Sequence, residues 1–288
     1  MRISVVHSTT YRYDRPVFQE PHTFRLRPRQ DAAQHLRRYA LEISPAPAGK
    51  TECLDQDGNV VLEAWFDSLL EEMAVRSSFE IDTLRDNPFD FVLAGKELAG
   101  LPLTYGQPLA WALAPYLGAG NECQAVRELA RSVAESAGWA TLAFLTELNR
   151  VLFETFEHII RDHGPPLDAE VTLQERAGSC RDLAVLYCAA CRTMGIPARF
   201  VSGYEREAAF QDQANMHAWA EVYLAGGGWR GYDPTGGLAV ATSHVAVAAA
   251  ADPRLAAPIS GSYRGSASAK MEFAIGMQVE AGGEDAQT

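Results

Sequence analysis

The sequence predicts an α+β protein built from two units. An antiparallel β-sandwich takes residues 1–95, and a second unit over 96–280 sets helices before strands, with a polar tail at 281–288. Two observations carry this reading. In the first stretch apolar residues alternate with polar ones at period two. After Asn87-Pro88 and Gly100-Leu101-Pro102 they recur every three or four residues, and period two returns beyond Pro197. Composition agrees: 47% hydrophobic and 22% charged residues in a chain of 288 is ordinary for a globular protein.

The elements follow in order. Ile3 and Val5, Tyr11 and Tyr13, Phe24 and Leu26, and Tyr39, Leu41 and Ile43 mark half-buried strands. Asp57-Gly58-Asn59 is a turn ahead of the Val60–Phe66 run, and Met73, Val75, Phe79 and Ile81 share one parity. Asn121 is placed to cap a helix that runs through Val133 and stops at Gly138. Leu142, Leu145, Leu148, Leu152 and Phe156 mark a second amphipathic helix from Thr141. A third follows Ser179, with Asp182 three residues on as a capping-box pair, and ends at Gly195 and Pro197. Arg199–Tyr204, His217–Leu224 and Trp229–Asp233 read as strands, the last two joined by Gly226-Gly227-Gly228. Met271, Phe273, Ile275, Met277 and Val279 alternate as a closing strand.

Charge narrows the function classes. Twenty-five Lys and Arg against 37 Asp and Glu give a net charge of −12, which argues against nucleic-acid or anionic-membrane partners. No apolar run approaches the ~20 residues of a membrane-spanning helix. Five dispersed cysteines, with no leader-like start, predict free thiols in a reducing, cytoplasmic setting. Cys188 and Cys191 have metal-ligand spacing but lie within a helix without a second pair, so no metal is read there and no cofactor is expected. Cys53 and Cys123 carry no signal. His7 and His22 in the β-rich unit read as structural or surface residues.

Cys180 opens the third helix. A helix N-terminus favours an anion, and a thiol there beside an imidazolium ionises more readily than a free one. The same backbone N–H groups can receive an oxyanion. Taken alone, a cysteine is more often a small buried hydrophobe, and a lone His is more often structural. His217, however, heads a strand whose one face carries Trp219, Glu221 and Tyr223 and whose other face is apolar. If the hairpin is centred on Gly226, Asp233 falls opposite Trp219 and diagonal to His217, within side-chain reach. A shift of one residue puts it on the wrong face. Cys180, His217 and Asp233 then form a nucleophile, a base and an orienting group for acyl transfer.

Several runs resemble one family. Gly178-Ser179-Cys180-Arg181-Asp182-Leu183-Ala184, Gly195-Ile196-Pro197-Ala198-Arg199, Ser202-Gly203-Tyr204, His217-Ala218-Trp219-Ala220-Glu221-Val222-Tyr223 and Gly231-Tyr232-Asp233-Pro234-Thr235 are similar to the core of bacterial transglutaminase-like proteins. His7-Ser8-Thr9-Thr10-Tyr11-Arg12-Tyr13, Arg25-Leu26-Arg27-Pro28-Arg29 and Asp57-Gly58-Asn59 are similar to the β-rich region preceding that core. The resemblance implies a papain-like core, a helix carrying the nucleophile packed on an antiparallel sheet, and a match of Cys180, His217 and Asp233 to the family triad. Two departures stand out. Where many relatives carry a Gly-Arg-Asp-Tyr run, this chain reads Ala250-Ala251-Asp252-Pro253-Arg254-Leu255. Arg181 stands where an uncharged residue is common.

The expected function is cysteine-dependent acyl transfer on a peptide, protein or small amide, most simply hydrolysis through a thioester. Transamidation and a non-catalytic peptide-binding module are the alternatives. Trp219, Tyr204 and Arg181 are the candidate substrate-binding residues, Trp219 by walling the cleft beside His217 and Tyr204 from the preceding strand. Glu221 is expected to pair with a cation or hydroxyl on the sheet.

Overall fold

Long alternating runs become long strands. The computed structural model describes residues 1–94, 100–118, 122–161, 163–206 and 215–280. Its first unit holds β1 (Arg2–Gln19), β2 (His22–Phe24), β3 (Gln34–Ser44), β4 (Gly49–Leu54), β5 (Val60–Trp65) and β6 (Leu69–Thr83). The second holds α1 (Leu109–Leu113), α2 (Gln124–Ser136), α3 (Thr141–Thr155), β7 (Glu157–His158), α4 (Ala169–Glu175), β8 (Ala177–Gly178) and α5 (Cys180–Thr193). It continues through β9 (Ala198–Glu205), β10 (His217–Leu224), β11 (Gly228–Asp233), β12 (Leu238–Ala239) and β13 (His244–Ala250). Three further strands close the chain: β14 (Ile259–Ser260), β15 (Tyr263–Arg264) and β16 (Ala269–Glu280).

The closing segment corrects the division expected from the sequence. Residues 259–280 do not stay with the second unit. β16 pairs antiparallel with β1 from Arg2↔Glu280 to Tyr13↔Ala269, β15 pairs with the end of β1, and β14 pairs with β2. Alternation showed that β16 is a strand, but period two is the same whichever sheet receives it. The helix cap expected at Asn121 and the tail at 281–288 lie outside the described residues; α2 begins at Gln124.

The first unit is two antiparallel sheets, β15-β1-β6-β3 with β16 also on β1, and β14-β2-β5-β4. Phe24, Leu26, Leu62, Ala64, Phe66 and Leu70 pack between them against Met73 and Val75 of β6. Farther along the same face of β6, Phe79 and Ile81 join Ile3 and Val5 against Tyr204, Val245 and Val247 of the second unit. One continuous apolar face therefore binds both partners, which fuses the two units by ordinary burial.

The second unit packs helices on the sheet β12-β11-β10-β9-β13. Every residue of β9 is buried. The side of α5 bearing Leu183, Leu186, Tyr187, Ala190 and Cys191 shares a core with Ala198, Ala220, Val222 and Tyr232 of the sheet. β13 is an edge strand, with backbone groups open to pairing. Two side-chain amides of the first unit close it. Gln34 Nε2 donates to the Ala246 carbonyl at 2.7 Å while its Oε1 accepts from the Ala246 N–H at 2.9 Å. Asn59 does the same with the Ala249 carbonyl and N–H, both at 2.9 Å.

Candidate active site

Cys180 is the first residue of α5. Asp182, wholly buried, fixes that helix start. Its Oδ2 accepts from Ser179 N–H at 2.8 Å and from Ser179 Oγ at 2.7 Å, and its Oδ1 accepts from Leu167 N–H at 2.7 Å and Arg161 at 2.5 Å. Burial opposes the charge of Asp182, but these donors hold its carboxyl below the ordinary carboxylate range. The capping pair thus also ties the loop before α4 to the helix. Gly178 must lack a side chain here, because a Cβ would stand 2.9 Å from Asp182 Cβ and 3.1 Å from Thr172 Cγ2.

His217 opens β10, and the sheet register brings it to Asp233. β10 and β11 pair as Ala220↔Tyr232 and Leu224↔Gly228, the register that centring on Gly226 requires. His217 Nε2 lies 2.7 Å from Asp233 Oδ2. Asp233 Oδ1 accepts from Thr235 N–H at 2.9 Å and Thr235 Oγ at 2.6 Å. The Cys180 thiol reaches the same imidazole. Burial disfavours the imidazolium of His217, but the Asp233 charge and hydrogen bond, with a further contribution from Cys180, raise its pKa well above the ordinary histidine value. Burial likewise opposes the Asp233 carboxylate, and His217 and His244 hold it well below the ordinary range.

His244 was not singled out by the sequence. It lies on β13, its side chain fully buried, with Nε2 3.1 Å from the same Asp233 Oδ2 and Nδ1 2.9 Å from Ser243 Oγ. The ligand-type atoms of His217, Asp233 and His244 lie within 4.8 Å of one another. As they stand, both imidazoles are hydrogen-bonded to the shared carboxylate oxygen.

Cys180, His217 and Asp233 border a cleft of about 700 Å³ between the two units. The opposite wall comes from the first unit and the closing strand, through His7, Thr9, Tyr11, Met271 and Phe273. His7 is therefore a buried cleft residue. Its Nδ1 meets Tyr204 Oη at 2.8 Å and its Nε2 meets Thr9 Oγ1 at 3.1 Å. Burial pushes its pKa down to about 4. His158, paired beside Gly178 through β7 and β8, stands at the cleft rim and was also missed. Burial lowers its pKa, and the His217 charge lowers it further.

Of the three candidate substrate residues, only Arg181 lines the cleft. Its guanidinium donates to the carbonyls of Gly164, at 2.8 Å, and Arg161. Trp219 is 1% exposed and packs behind the site, with Val201 and Ala249, stacked on His217 and edge-on to His244. Tyr204 is likewise buried, in the apolar seam between the units, with its hydroxyl on His7. Parity gave the face of each residue, not what covers it. Glu221 pairs with Arg199 at 2.6 Å, as expected. In the departing run, Asp252 pairs with Arg254, and Pro253 and Arg254 line the cleft, with Ala256 just beyond the run.

The five cysteines are free: Cys53 is exposed, Cys123 and Cys180 are partly buried, and Cys188 and Cys191 are buried. Burial raises the Cys188 thiol to about 11 and holds that of Cys191 well above the ordinary thiol value. Among the described residues, no helix is long and apolar enough to cross a membrane.

Comparison with known proteins agrees with this architecture. Residues 117–234 match the transglutaminase-like superfamily, and residues 3–82 match the bacterial transglutaminase-like N-terminal region. An uncharacterized protein of Mycobacterium leprae (strain TN) is 27% identical over 286 residues, 95% of this chain and 97% of that protein. A crystal structure of a candidate cysteine protease from Cytophaga hutchinsonii is similar in fold, with TM-score 0.72 and 24% identity over 98% of this chain and 92% of that one. By its matched core and its matched N-terminal region, the chain belongs to the transglutaminase-like superfamily, in the bacterial form that carries a β-rich N-terminal unit.

Proposed function

We propose that the protein is a cysteine-dependent amide hydrolase acting on a peptide or protein segment through a thioester. The observation that carries this reading is the placement of His217 between the Cys180 thiol and the Asp233 carboxylate, at the wall of a cleft. Membership of the transglutaminase-like superfamily supports cysteine-based catalysis in general.

The chemistry follows from the geometry. Asp233 engages Nε2 of His217, which leaves Nδ1 for the thiol. His217 takes the proton of Cys180, and the thiolate attacks the amide carbon. Backbone N–H groups in the first turn of α5 receive the developing oxyanion. The imidazolium protonates the departing amine as the C–N bond breaks, leaving a thioester. Water then gives a proton to His217, its oxygen bonds to the thioester carbon, and the proton passes to the sulfur as the acid leaves. Asp233 stabilises the imidazolium in both halves. Arg181, already bound to two carbonyls, serves to hold Arg161 and Gly164 at the cleft beside Cys180. Free, dispersed thiols suit a reducing, cytoplasmic setting.

The test is a peptide library incubated with the protein, with and without excess methylamine, and read by mass spectrometry against Cys180→Ala. Cys180-dependent hydrolysis is expected under both conditions. Products carrying methylamine in place of water would turn the reading to transamidation. No Cys180-dependent product under either condition would overturn it in favour of a binding module.

A further inference from the structure

Asp233 is a saturated carboxylate. Thr235 supplies two donors to Oδ1, and the imidazoles of His217 and His244 both meet Oδ2, at 2.7 and 3.1 Å. An ionised carboxylate has about four lone-pair sites, and all are engaged. Thr235 alone is enough to fix the rotation of the group. His244 must therefore matter through the oxygen that it shares. Its ring is set with little freedom: Ser243 Oγ meets Nδ1 at 2.9 Å, the Trp219 ring packs edge-on at 5.0 Å, and Gln34 ties down the backbone two residues along β13.

We propose that His244 is a positioning residue for the Cys180 reaction: by donating Nε2–H to the Asp233 oxygen that also holds His217, it divides that oxygen's charge between two imidazoles and leaves His217 able to release its proton to the departing amine. The inference rests on the reading of Cys180, His217 and Asp233 given above. Without His244, the whole charge of Oδ2 faces His217. The imidazolium is then held harder, and proton transfer to the leaving group becomes less favourable. The other titratable groups around this pair are Cys180 from α5 and His158 from β7, both acting on or through His217. Glu205 of β9 lies across the ladder from His244.

The test is imidazole ¹⁵N NMR of the full-length protein across pH, comparing wild type with His244→Phe and His244→Gln. In the wild type, His244 should carry its hydrogen on Nε2 and present a bare Nδ1 to Ser243. In His244→Phe the midpoint of the His217 titration should rise by on the order of half to one pH unit, because one hydrogen bond to the carboxylate is lost. His244→Gln, which keeps an N–H at similar reach, should stay close to wild type. A His217 midpoint unchanged in His244→Phe, or a shift as large in His244→Gln, would overturn the inference. If a variant does not fold, the wild-type tautomer decides: hydrogen on Nδ1 with a bare Nε2 would overturn it. Failure here is separable from failure of the triad reading. The latter would show as wild-type Cys180 reacting with iodoacetamide no faster than Cys53, a comparison that His244 does not control.

Discussion

Two histidines face the same cleft from opposite sides, and the protein holds them in opposite charge states. His7, on the sheet of the first unit, is 5% exposed; His217, on the sheet of the second, is 9% exposed. Burial disfavours the imidazolium at both. Among the described residues His7 hydrogen-bonds to the neutral hydroxyls of Tyr204 and Thr9, and burial brings its pKa down to about 4. His217 meets Asp233, and its pKa rises well above the ordinary value. Depth is shared, so the charge of the partner decides the protonation state. One wall of the cleft thus presents a neutral imidazole, and the other presents the imidazole that would carry the proton in the proposed reaction.

The largest expected effect comes from breaking the cationic side. Cys180→Ala should lower the protein-catalysed hydrolysis of p-nitrophenyl acetate by at least about three orders of magnitude, with the melting temperature little changed. His217→Ala should lose a similar amount. Asp233→Asn should lose less, because a thiolate–imidazolium pair can form in part without the third member. The pH profile gives the sign. The carboxylate raises the His217 pKa, so removing its charge should move the alkaline limb to lower pH. An alkaline limb that does not move would mean that Asp233 supports the fold rather than the imidazolium.

The neutral side is tested through stability. Between pH 6.5 and 4 the unfolded chain protonates His7 while the folded one refuses the proton, so stability falls as pH drops through that window. His7→Gln should remove about 2–3 kcal/mol of the stability difference between pH 7 and pH 4.5, on 1.36 kcal/mol per pKa unit. Urea unfolding at the two pH values measures it. On the opposite wall His217 works the other way, while Asp233 loses its contribution only in stronger acid. The His217 contribution is complete below about pH 6.5 and is lost as pH climbs through its raised pKa, whereas that of Asp233 is lost only as pH falls below the ordinary aspartate value of about 3.8. An unchanged acid dependence in His7→Gln would break the comparison.

The parts of the site nearest in sequence were legible before the structure. The capping pair Ser179 and Asp182 placed Cys180 at a helix start, and centring one hairpin on Gly226 brought Asp233 to His217. Both are local, set by one helical turn or by a hairpin turn, although the sequence left the hairpin register open and the structure supplied it. His244 reaches Asp233 only because β13 crosses to pair with β9, and no spacing in the chain encodes that. Parity and strand order point Trp219 and Tyr204 to the cleft, and the structure buries both. His217 lies at the open end of β10, whereas Trp219, two residues along on the same face, is already covered by Val201 and Ala249. Depth along a strand depends on the partner elements. The same holds for β16, whose pattern was plain and whose place on β1 was not.

A smaller effect is expected where the units meet at the edge of β13. Gln34→Leu would take the side-chain partner from the N–H of Ala246 and leave its carbonyl with the Arg29 N–H. It should cost about 1–3 kcal/mol in chemical denaturation, with a minor loss of hydrolysis, because His217 and Asp233 sit on other strands. A loss of activity as large as that of Asp233→Asn would mean that the first unit controls the site directly.

Competition among the five cysteines reports whether Cys180 and His217 form a reactive ion pair at this cleft. A limiting amount of iodoacetamide is added at pH 6, and the label is mapped by peptide mass spectrometry. Cys188 and Cys191 are buried with raised pKa values, and Cys53, although exposed, has no imidazolium partner among the described residues. The thiolate is the species that alkylates. The label should appear first on Cys180, and His217→Ala should slow this labelling at least several-fold. Uniform slow labelling of the accessible cysteines, or unchanged labelling of Cys180 in His217→Ala, would contradict the ion pair.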